Sequence, residues 1–395
     1  MYGREVVVLS GVRTAIADFG GALKDMPATE LGGKVIAEAV ARSGLTASEI
    51  EHCVIGSVIH GDRRDMYLSR AAALKGGLSI ATPALTVNRL CGSGLQAIIS
   101  AAQMIMLGDC DTAVAGGAES MSRAPYWQQG ARFGYKMGDA TITDPMIGAL
   151  TCPINDTHMG ITAENVANQY NISREQQDQL AVKSHQQAKL ASDEGRFTEQ
   201  ILPIEISSRK GTIVFDQDEH IRPDTTVEKL ATLRPAFDKQ GTVTAANSSG
   251  INDGAAAVVL MAKNVAEAKG LTPLATLVGY AVAAVDPSIM GVGPVLAVRK
   301  LMAKTGISIE DVDIWEANEA FAAQALAVTK ELGLDPAKVN PNGSGIGLGH
   351  PIGATGAIIT VKALYELKRI KGRYAVATMC IGGGQGIAAL FECHH

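Results

Sequence analysis

Cys91 lies in the run Ala84-Leu85-Thr86-Val87-Asn88-Arg89-Leu90-Cys91-Gly92-Ser93-Gly94-Leu95-Gln96-Ala97-Ile98-Ile99, which reads strand, tight turn, helix. The turn delivers the thiol to a helix N-terminus, where unpaired amides and the helix dipole favour a thiolate. Such a terminus contributes about 0.3–1 kcal/mol, up to ~2 when partly buried, so the spacing predicts a pKa lowered by about one unit. A working nucleophile also needs a base beside it. Gly92 and Gly94 permit the sharp turn and a close approach to the backbone. An arbitrary cysteine is usually a small buried hydrophobe; the flanking glycines weigh against that reading for Cys91.

The base candidate is His350, within Asn340-Pro341-Asn342-Gly343-Ser344-Gly345-Ile346-Gly347-Leu348-Gly349-His350-Pro351-Ile352-Gly353-Ala354-Thr355-Gly356. Alternate glycines cannot build a packing strand, so this is a loop whose backbone comes close to something. Gly349 and Pro351 frame the histidine and restrict its direction. The glycines lack the G-x-G-x-x-G spacing of a dinucleotide site. A third centre, Met379-Cys380-Ile381-Gly382-Gly383-Gly384-Gln385-Gly386, follows a strand with too little chain left for another βαβ unit. Cys380 at a strand end, followed by free amides, suits a second acid/base next to an oxyanion-binding N–H. In Trp315-Glu316-Ala317-Asn318-Glu319-Ala320-Phe321-Ala322, amide and carboxylate groups close another strand. Buried there, they need partners such as a bound water or a substrate carbonyl.

These centres need a scaffold, and the chain has material for two or three domains at 395 residues. Hydrophobic residues make up 47% and charged residues 19%, which suits a packed globular protein. Aromatics are only 4% against 43 glycines, so Ala and Val fill the core and backbones approach closely. The net charge of −5 forms no basic stripe of the kind nucleic acid demands. No run reaches about 18 consecutive apolar residues, so no membrane span is expected. Neither the opening Met1-Tyr2-Gly3-Arg4-Glu5 nor the closing Cys393-His394-His395 reads as a targeting signal, which makes the cytoplasm the expected home. The six cysteines include no C-x-x-C pair, so neither a metal nor a redox motif is expected.

The chain repeats itself. Gly44-Leu45-Thr46-Ala47-Ser48-Glu49-Ile50-Glu51 has its counterpart in Gly306-Ile307-Ser308-Ile309-Glu310-Asp311-Val312-Asp313. Val87-Asn88 and Val339-Asn340 each precede a Gly-rich turn and a long helix, near 95–107 and 357–368. Each helix leads into a strand with an Ala-Val-Ala core, from Thr112 or Tyr374. Two duplicated α/β halves with mixed sheets covered by helices follow. Residues 1–120 and 251–270 form the first half and 271–395 the second. Between them, 121–250 is an inserted, loop-rich domain of the kind that carries ligand contacts. It holds helices near 163–170 and 174–194, the second begun by Ser173 with Gln176 in capping-box spacing, and polar turns such as Ser207-Ser208-Arg209-Lys210-Gly211.

Four blocks together resemble the thiolase family: the Cys91 turn, Asn318-Glu319-Ala320-Phe321-Ala322, Gly347-Leu348-Gly349-His350-Pro351 and Cys380-Ile381-Gly382-Gly383-Gly384. The resemblance spans essentially the whole chain. It implies the thiolase fold, two duplicated mixed-sheet halves in a five-layered αβαβα core with an inserted loop domain. It also implies reversible condensation and thiolysis among acetyl-CoA, other acyl-CoAs, CoA and a short-chain 3-ketoacyl-CoA, with no cofactor. By resemblance Cys91 takes the acyl group, His350 activates it, and Cys380 moves the proton on the substrate α-carbon or on the thiol of coenzyme A. Two oxyanion holes are implied, one from His350 and a water held by Asn318, the other from the amides of Cys91 and Gly382.

The resemblance further implies that Leu150, His158, Met159, Arg222, Ala245, Ser249, Met290, Ala320 and Phe321 contact substrate or coenzyme A, Arg222 at the nucleotide end. Lys229 stands where relatives carry a small polar residue. Met290 and His158-Met159 resemble the short-chain branch. The segment Arg64-Asp65-Met66-Tyr67-Leu68-Ser69-Arg70 resembles bacterial β-ketothiolases that accept slightly longer chains and supply polyhydroxyalkanoate synthesis. Residues 124–146 resemble the loop that builds family tetramers, so a homotetramer is implied. A binding or lipid-transfer protein on this scaffold would lack a catalytic residue, and none is missing. A condensing synthase of the same fold would lack the second cysteine, Cys380.

Overall fold

The computed structural model describes residues 3–208 and 211–393; Arg209 and Lys210 of the polar turn lie outside them, as do His394 and His395. Among the described residues, nine strands form the continuous path of the main sheet: β1 (Val6–Thr14), β2 (His52–Gly56), β3 (Ala84–Val87), β4 (Thr112–Ser120), β5 (Asn252–Ala262), β6 (Ala275–Ala284), β7 (Ile314–Ala317), β8 (Tyr374–Ile381) and β9 (Gln385–Glu392), with two two-residue strands at its margin. The main helices are α1 (Ala28–Ser43), α2 (Ser93–Leu107), α3 (Met159–Tyr170), α4 (Arg174–Asp193), α5 (Gly293–Thr305), α6 (Ala322–Leu332) and α7 (Thr355–Ile370).

The strand order is β7-β8-β9-β6-β1-β5-β4-β2-β3, and it reads as one pattern used twice. In the first half β5 lies antiparallel between β1 and β4, and β2 runs parallel to β4. In the second, β9 lies antiparallel between β6 and β8, and β7 runs parallel to β8. The irregularities repeat as well: the register slips between Val8 and Ser10 in β1 and between Leu277 and Gly279 in β6. Val7 and Val8 pair with Thr276 and Ala275, so hydrogen bonds continue from one half to the other.

The turns behind the repeat share their chemistry. Gly44 and Gly306 both end a helix with left-handed backbone, at φ 78° and 74°. Thr46 N–H then donates to Glu49 at 2.7 Å, and Ser308 N–H to Asp311 at 3.1 Å. Strand composition sets the layers. β5 is buried along its whole length, and its Ala-Ala-Ala-Val-Val run offers small side chains to the helices on both faces. α1 covers the outer face of the first sheet and α5 that of the second, with α2 and α7 between the sheets. The result is five layers.

The two central helices meet at their N-termini through paired glycines. A Cβ on Gly94 would stand 2.7 Å from the Ala357 nitrogen, and one on Gly356 would stand 2.3 Å from the Leu95 nitrogen. α2 buries Leu95, Ile98, Ile99 and Ile105 almost completely, each stabilising the fold by roughly 1.5–3 kcal/mol. The 18-residue window Leu90–Leu107 is by length and mean hydropathy apolar enough to cross a bilayer, yet Gln96, Ser100 and Gln103 interrupt its apolar run, and its helix packs between the sheets. In the insertion, the capping box forms as the sequence predicts: Ser173 Oγ accepts from Gln176 N at 3.2 Å and Gln176 Oε1 from Ser173 N at 2.9 Å. α3 begins at Met159, four residues earlier than expected, because His158 Nδ1 caps it by accepting from Gly160 N.

Candidate active site

The Cys91 turn is strained and firmly tied. Leu90 adopts φ 46°, a left-handed conformation that costs a β-carbon-bearing residue roughly 1–2 kcal/mol. Asn88 Oδ1 accepts from Leu90 N at 2.9 Å, Ser93 N and Oγ donate to Leu90 O, and Arg89 N donates to Ser93 Oγ. The bend lifts Cys91 to the start of α2 and presses it toward the end of β8. A Cβ on Gly92 would lie 2.6 Å from Ile381 Cδ1, so the glycine lets the two segments touch.

The backbone groups of Gly382 and of Cys91 itself draw the pKa of the Cys91 thiol down. Burial acts in the other direction, aided by the Glu119 carboxylate, and leaves the thiol pushed up to about 11. The expected lowering at the helix terminus is therefore overturned. Desolvation of the thiolate outweighs one helix end, although the cysteine is only partly buried.

His350 is placed by three contacts. Its amide donates to Asn252 Oδ1 at 2.8 Å, and Asn252 Nδ2 in turn donates to Ala17 O at 3.0 Å. Gly349, at φ 104°, lies so near Asn252 that a Cβ would stand 2.5 Å from Asn252 Cγ. The ring Nδ1 lies 2.7 Å from Thr355 Oγ1, and Thr355 Oγ1 donates its one proton to Pro351 O at 2.9 Å. The hydroxyl is thus left to accept, which assigns the proton to Nδ1 and leaves Nε2 with a free lone pair. Nε2 is buried without a protein partner, and burial lowers the ring pKa to about 4. The imidazole rests neutral, in the tautomer a general base requires.

Glu119, at the end of β4, secures the loop behind His350. Its carboxylate accepts from Val58 N at 2.9 Å, Ile59 N at 3.1 Å and Gly353 N at 2.9 Å. Ile59 and Ile352 share an apolar patch against which Cys91 and Leu150 pack. Glu119 is fully buried, and desolvation raises its pKa to about 8.

Asn318 closes the second half's parallel strand, its amide donating to Thr378 O at 3.0 Å. Its side-chain Oδ1 and Nδ2 are both buried with no hydrogen-bond partner. The neighbouring carboxylates are engaged within the protein instead. Glu316 pairs with Lys362 at 2.9 Å, and Glu319 accepts from Ser184 Oγ at 2.5 Å and Asn340 Nδ2 at 3.0 Å. Of this polar trio, Asn318 alone offers its whole side-chain head to a ligand. Cys380 is buried, and burial together with the nearby Cys91 pushes its thiol well above the ordinary range.

The expected pocket residues fall into three groups. Met159, Met290, Ala320, Phe321 and Cys380 share one apolar cluster with Cys152 and Phe237. His158 stacks on Phe237 at 4.8 Å, and Phe237 meets Phe321 edge-on at 6.1 Å. Leu150 belongs to the Cys91 side, its carbonyl accepting from Met159 N at 2.8 Å. Ser249 N donates to Ala320 O at 2.9 Å, which ties the 247–250 segment to this wall. Ala245 and Arg222 lie on the surface, Arg222 paired with Asp18 at 2.6 Å. Lys229 is paired with Asp224 at 2.9 Å on the same surface. Among the described residues no His, Cys, Asp and Glu group has the arrangement of a metal site.

Asn252, Thr355, Glu119, Ser184 and Asn340 carry the supporting contacts, and sequence reasoning assigned none of them a role. Asn340 alone left a trace, in the repeated Val-Asn pair.

Comparison with known proteins settles the family. Residues 6–264 match the model of the thiolase N-terminal domain, and residues 271–393 match that of the thiolase C-terminal domain. The chain belongs to the thiolase family. It is an acyltransferase that runs the thiolase reaction, the reversible Claisen condensation and thiolysis of coenzyme A thioesters. It is 61% identical over 390 residues to the beta-ketothiolase BktB of Cupriavidus necator, covering 98% of this chain and 99% of that one. It is 48% identical to the acetyl-CoA acetyltransferase of Chromobacterium violaceum over 98% of this chain and 99% of the other. The acetyl-CoA acetyltransferase structure from Bacillus anthracis superposes with a TM-score of 0.97 at 49% identity, covering 100% of both chains. Human mitochondrial 3-ketoacyl-CoA thiolase in complex with CoA gives a TM-score of 0.96 at 43% identity, over 100% of this chain and 99% of that one.

Proposed function

We propose that the enzyme makes and cleaves short-chain 3-ketoacyl-CoAs through an acyl group carried on Cys91. The observation that carries the reading is that His350 Nε2 and both side-chain polar atoms of Asn318 are buried with no protein partner, while the Gly382 backbone acts on the Cys91 thiol. In the first half-reaction Cys91 Sγ attacks an acyl-CoA carbonyl and gives its proton to His350 Nε2. The departing CoA thiolate takes a proton from Cys380. That leaves an imidazolium and a Cys380 thiolate, which removes the α-proton of a second acetyl-CoA. The enolate oxygen is held by the His350 N–H and a water on Asn318. The enolate attacks the Cys91 thioester, whose oxyanion lies on the Cys91 and Gly382 amides. When the carbon–carbon bond has formed, Cys91 leaves and recovers its proton from His350, and every group is back in its starting state. Donors aimed at developing charge in a dry pocket are usually the largest catalytic contribution.

Met290, Met159 and Phe321 put large side chains into the cluster that holds Cys380, which favours short acyl groups. The likeness to a beta-ketothiolase supports acceptance of one or two carbons beyond acetoacetyl-CoA and a role in supplying polyhydroxyalkanoate monomers. The insertion over 121–250 would carry pantetheine along His158 and Ser249 and present Arg222 to the nucleotide. The exposed Phe133 and Met137 support a homotetramer built through that region; light scattering should show Phe133→Asp with reduced mass. A substrate panel tests the main reading: thiolysis of 3-ketoacyl-CoAs of about four, five, six and more carbons, compared by kcat/KM. One methylene in a fitted pocket changes transition-state binding by about 1–3 kcal/mol, so the values should decline gradually past five or six carbons. Refusal of the five-carbon substrate, or preference for ten carbons, contradicts the proposal.

A further inference from the structure

Asn318 is useful only if its amide is held open, with no protein partner and no freedom to find one. Asn340 supplies that restraint. It sits at φ 47° in the turn after Val339, 2% exposed, and spends its whole side chain on the residues flanking Asn318. Oδ1 accepts from Ala317 N at 2.9 Å, and Nδ2 donates to Ala317 O at 2.8 Å and to Glu319 Oε1 at 3.0 Å. Glu319 is tied in turn to the insertion, since Ser184 Oγ of α4 donates to its other oxygen at 2.5 Å. The same Oγ accepts from Gly347 N at 3.0 Å and Ser344 N at 3.3 Å, in the loop that leads to His350. Gly345 lies so near that a Cβ would stand 2.9 Å from Asn318 Oδ1.

We propose that Asn340 is a positioning residue for the enolate half-reaction, acting through Asn318 by clamping the residues on both sides of it. The proposal rests on the reading of Asn318 as the holder of the oxyanion-hole water. Both halves of the repeat keep the Val-Asn pair, but Asn88 tightens the nucleophile turn through Leu90 N while Asn340 serves the opposite wall. No contact of the Asn340 side chain reaches Cys91 or Gly382, so acyl transfer to Cys91 should proceed without it.

The test is a double-mutant cycle read in two half-reactions: acetylation of Cys91 by acetyl-CoA, and hydrogen exchange at the acetyl-CoA methyl group in D₂O. Displacing a positioned group by about 1 Å costs about 10²-fold. Asn340→Ala should therefore slow exchange by about 10- to 100-fold while acetylation stays within about threefold. The variant carrying both Asn340→Ala and Asn318→Ala should exchange no more slowly than Asn318→Ala alone, because the effects of a residue acting through another do not multiply. Multiplying effects, or equal slowing of both half-reactions by Asn340→Ala, overturns the proposal. Wild-type exchange in Asn318→Ala instead overturns the water-holding role on which it rests. Should Asn340→Ala fail to fold, Asn340→Asp turns an oxygen toward Glu319 and should lose exchange in the same way. Adding Glu319→Gln returns a donor to that contact and should recover part of the rate; no recovery counts against the clamp.

Discussion

Replacing His350 by alanine should change the pH dependence of Cys91 acylation as well as its rate. The thiol is pushed up to about 11 by burial, so at pH 7 only about one molecule in 10⁴ holds a thiolate without help. In the wild type His350, with a pKa near 4, accepts the proton during attack. The reactive pair is then equally available from about pH 5 to about pH 10, and the rate is flat across that range. His350→Ala should be slower by about 10⁴ at pH 7, at the upper end of what a general base supplies. Its rate should then rise about tenfold per pH unit, because hydroxide must generate the thiolate, and the defect should shrink to about tenfold at pH 10. Rapid mixing with acetyl-CoA, acid quench and mass measurement of the Cys91 peptide gives the rates; ultraviolet thiolate absorbance checks the resting state. A flat profile for His350→Ala between pH 7 and 9, or a thiolate signal in the resting wild type at pH 7, would refute the reasoning. Either result would mean that the helix terminus ionises Cys91 unaided.

Thr355→Val keeps the shape of the side chain but leaves the His350 Nδ1–H without an acceptor, which should cost about 1–3 kcal/mol in urea unfolding. Turnover should fall by about 10²-fold as the ring loses its fixed tautomer, with KM little changed in steady-state assays. Glu119 gives a signed pH effect. Its folded pKa of about 8 lies above the ordinary carboxyl value of 4.5, so its contribution is full below about 4.5 and is lost as pH rises through 8. The stability of wild type relative to Glu119→Gln, from urea titrations at several pH values, should therefore fall between pH 5 and pH 9. The raised pKa bounds the change at about 5 kcal/mol, and a difference independent of pH contradicts it.

The parts of the molecule written in local pattern were legible. Gly44 and Gly306 announce the same helix end, and Ser173 with Gln176 announces the start of α4, because caps depend on residues a few positions apart. Cys91, Cys380 and His350 stood out because glycine neighbours betray close backbone approach. The electrostatics did not follow, since the pKa of Cys91 depends on burial by segments some 270 residues away, in contact through Ile352 and Gly382. Asn252 holds His350 and Asn340 clamps the flanks of Asn318 through contacts that only the folded topology creates. Glu316 and Glu319 looked as available to a ligand as Asn318. Lys362, Ser184 and Asn340, brought to them by α7, α4 and the turn after Val339, decide which of the three is left open.

The central claim is a division of labour between two cysteines, and serine at Cys380 tests it most directly. Acylation of Cys91 needs the nucleophile and His350 but removes no carbon-bound proton, so Cys380→Ser should still form the acetyl adduct on the Cys91 peptide. Exchange at the methyl group of acetyl-CoA in D₂O needs a base for a much weaker acid. A serine hydroxyl is a poor substitute, and loss of a general base typically costs about 10²–10⁴ in rate. Measured on the same samples, adduct formation should persist while exchange collapses by that factor. Exchange at the wild-type rate, or an acetyl group mapped to Cys380 in the wild-type enzyme, would contradict the account.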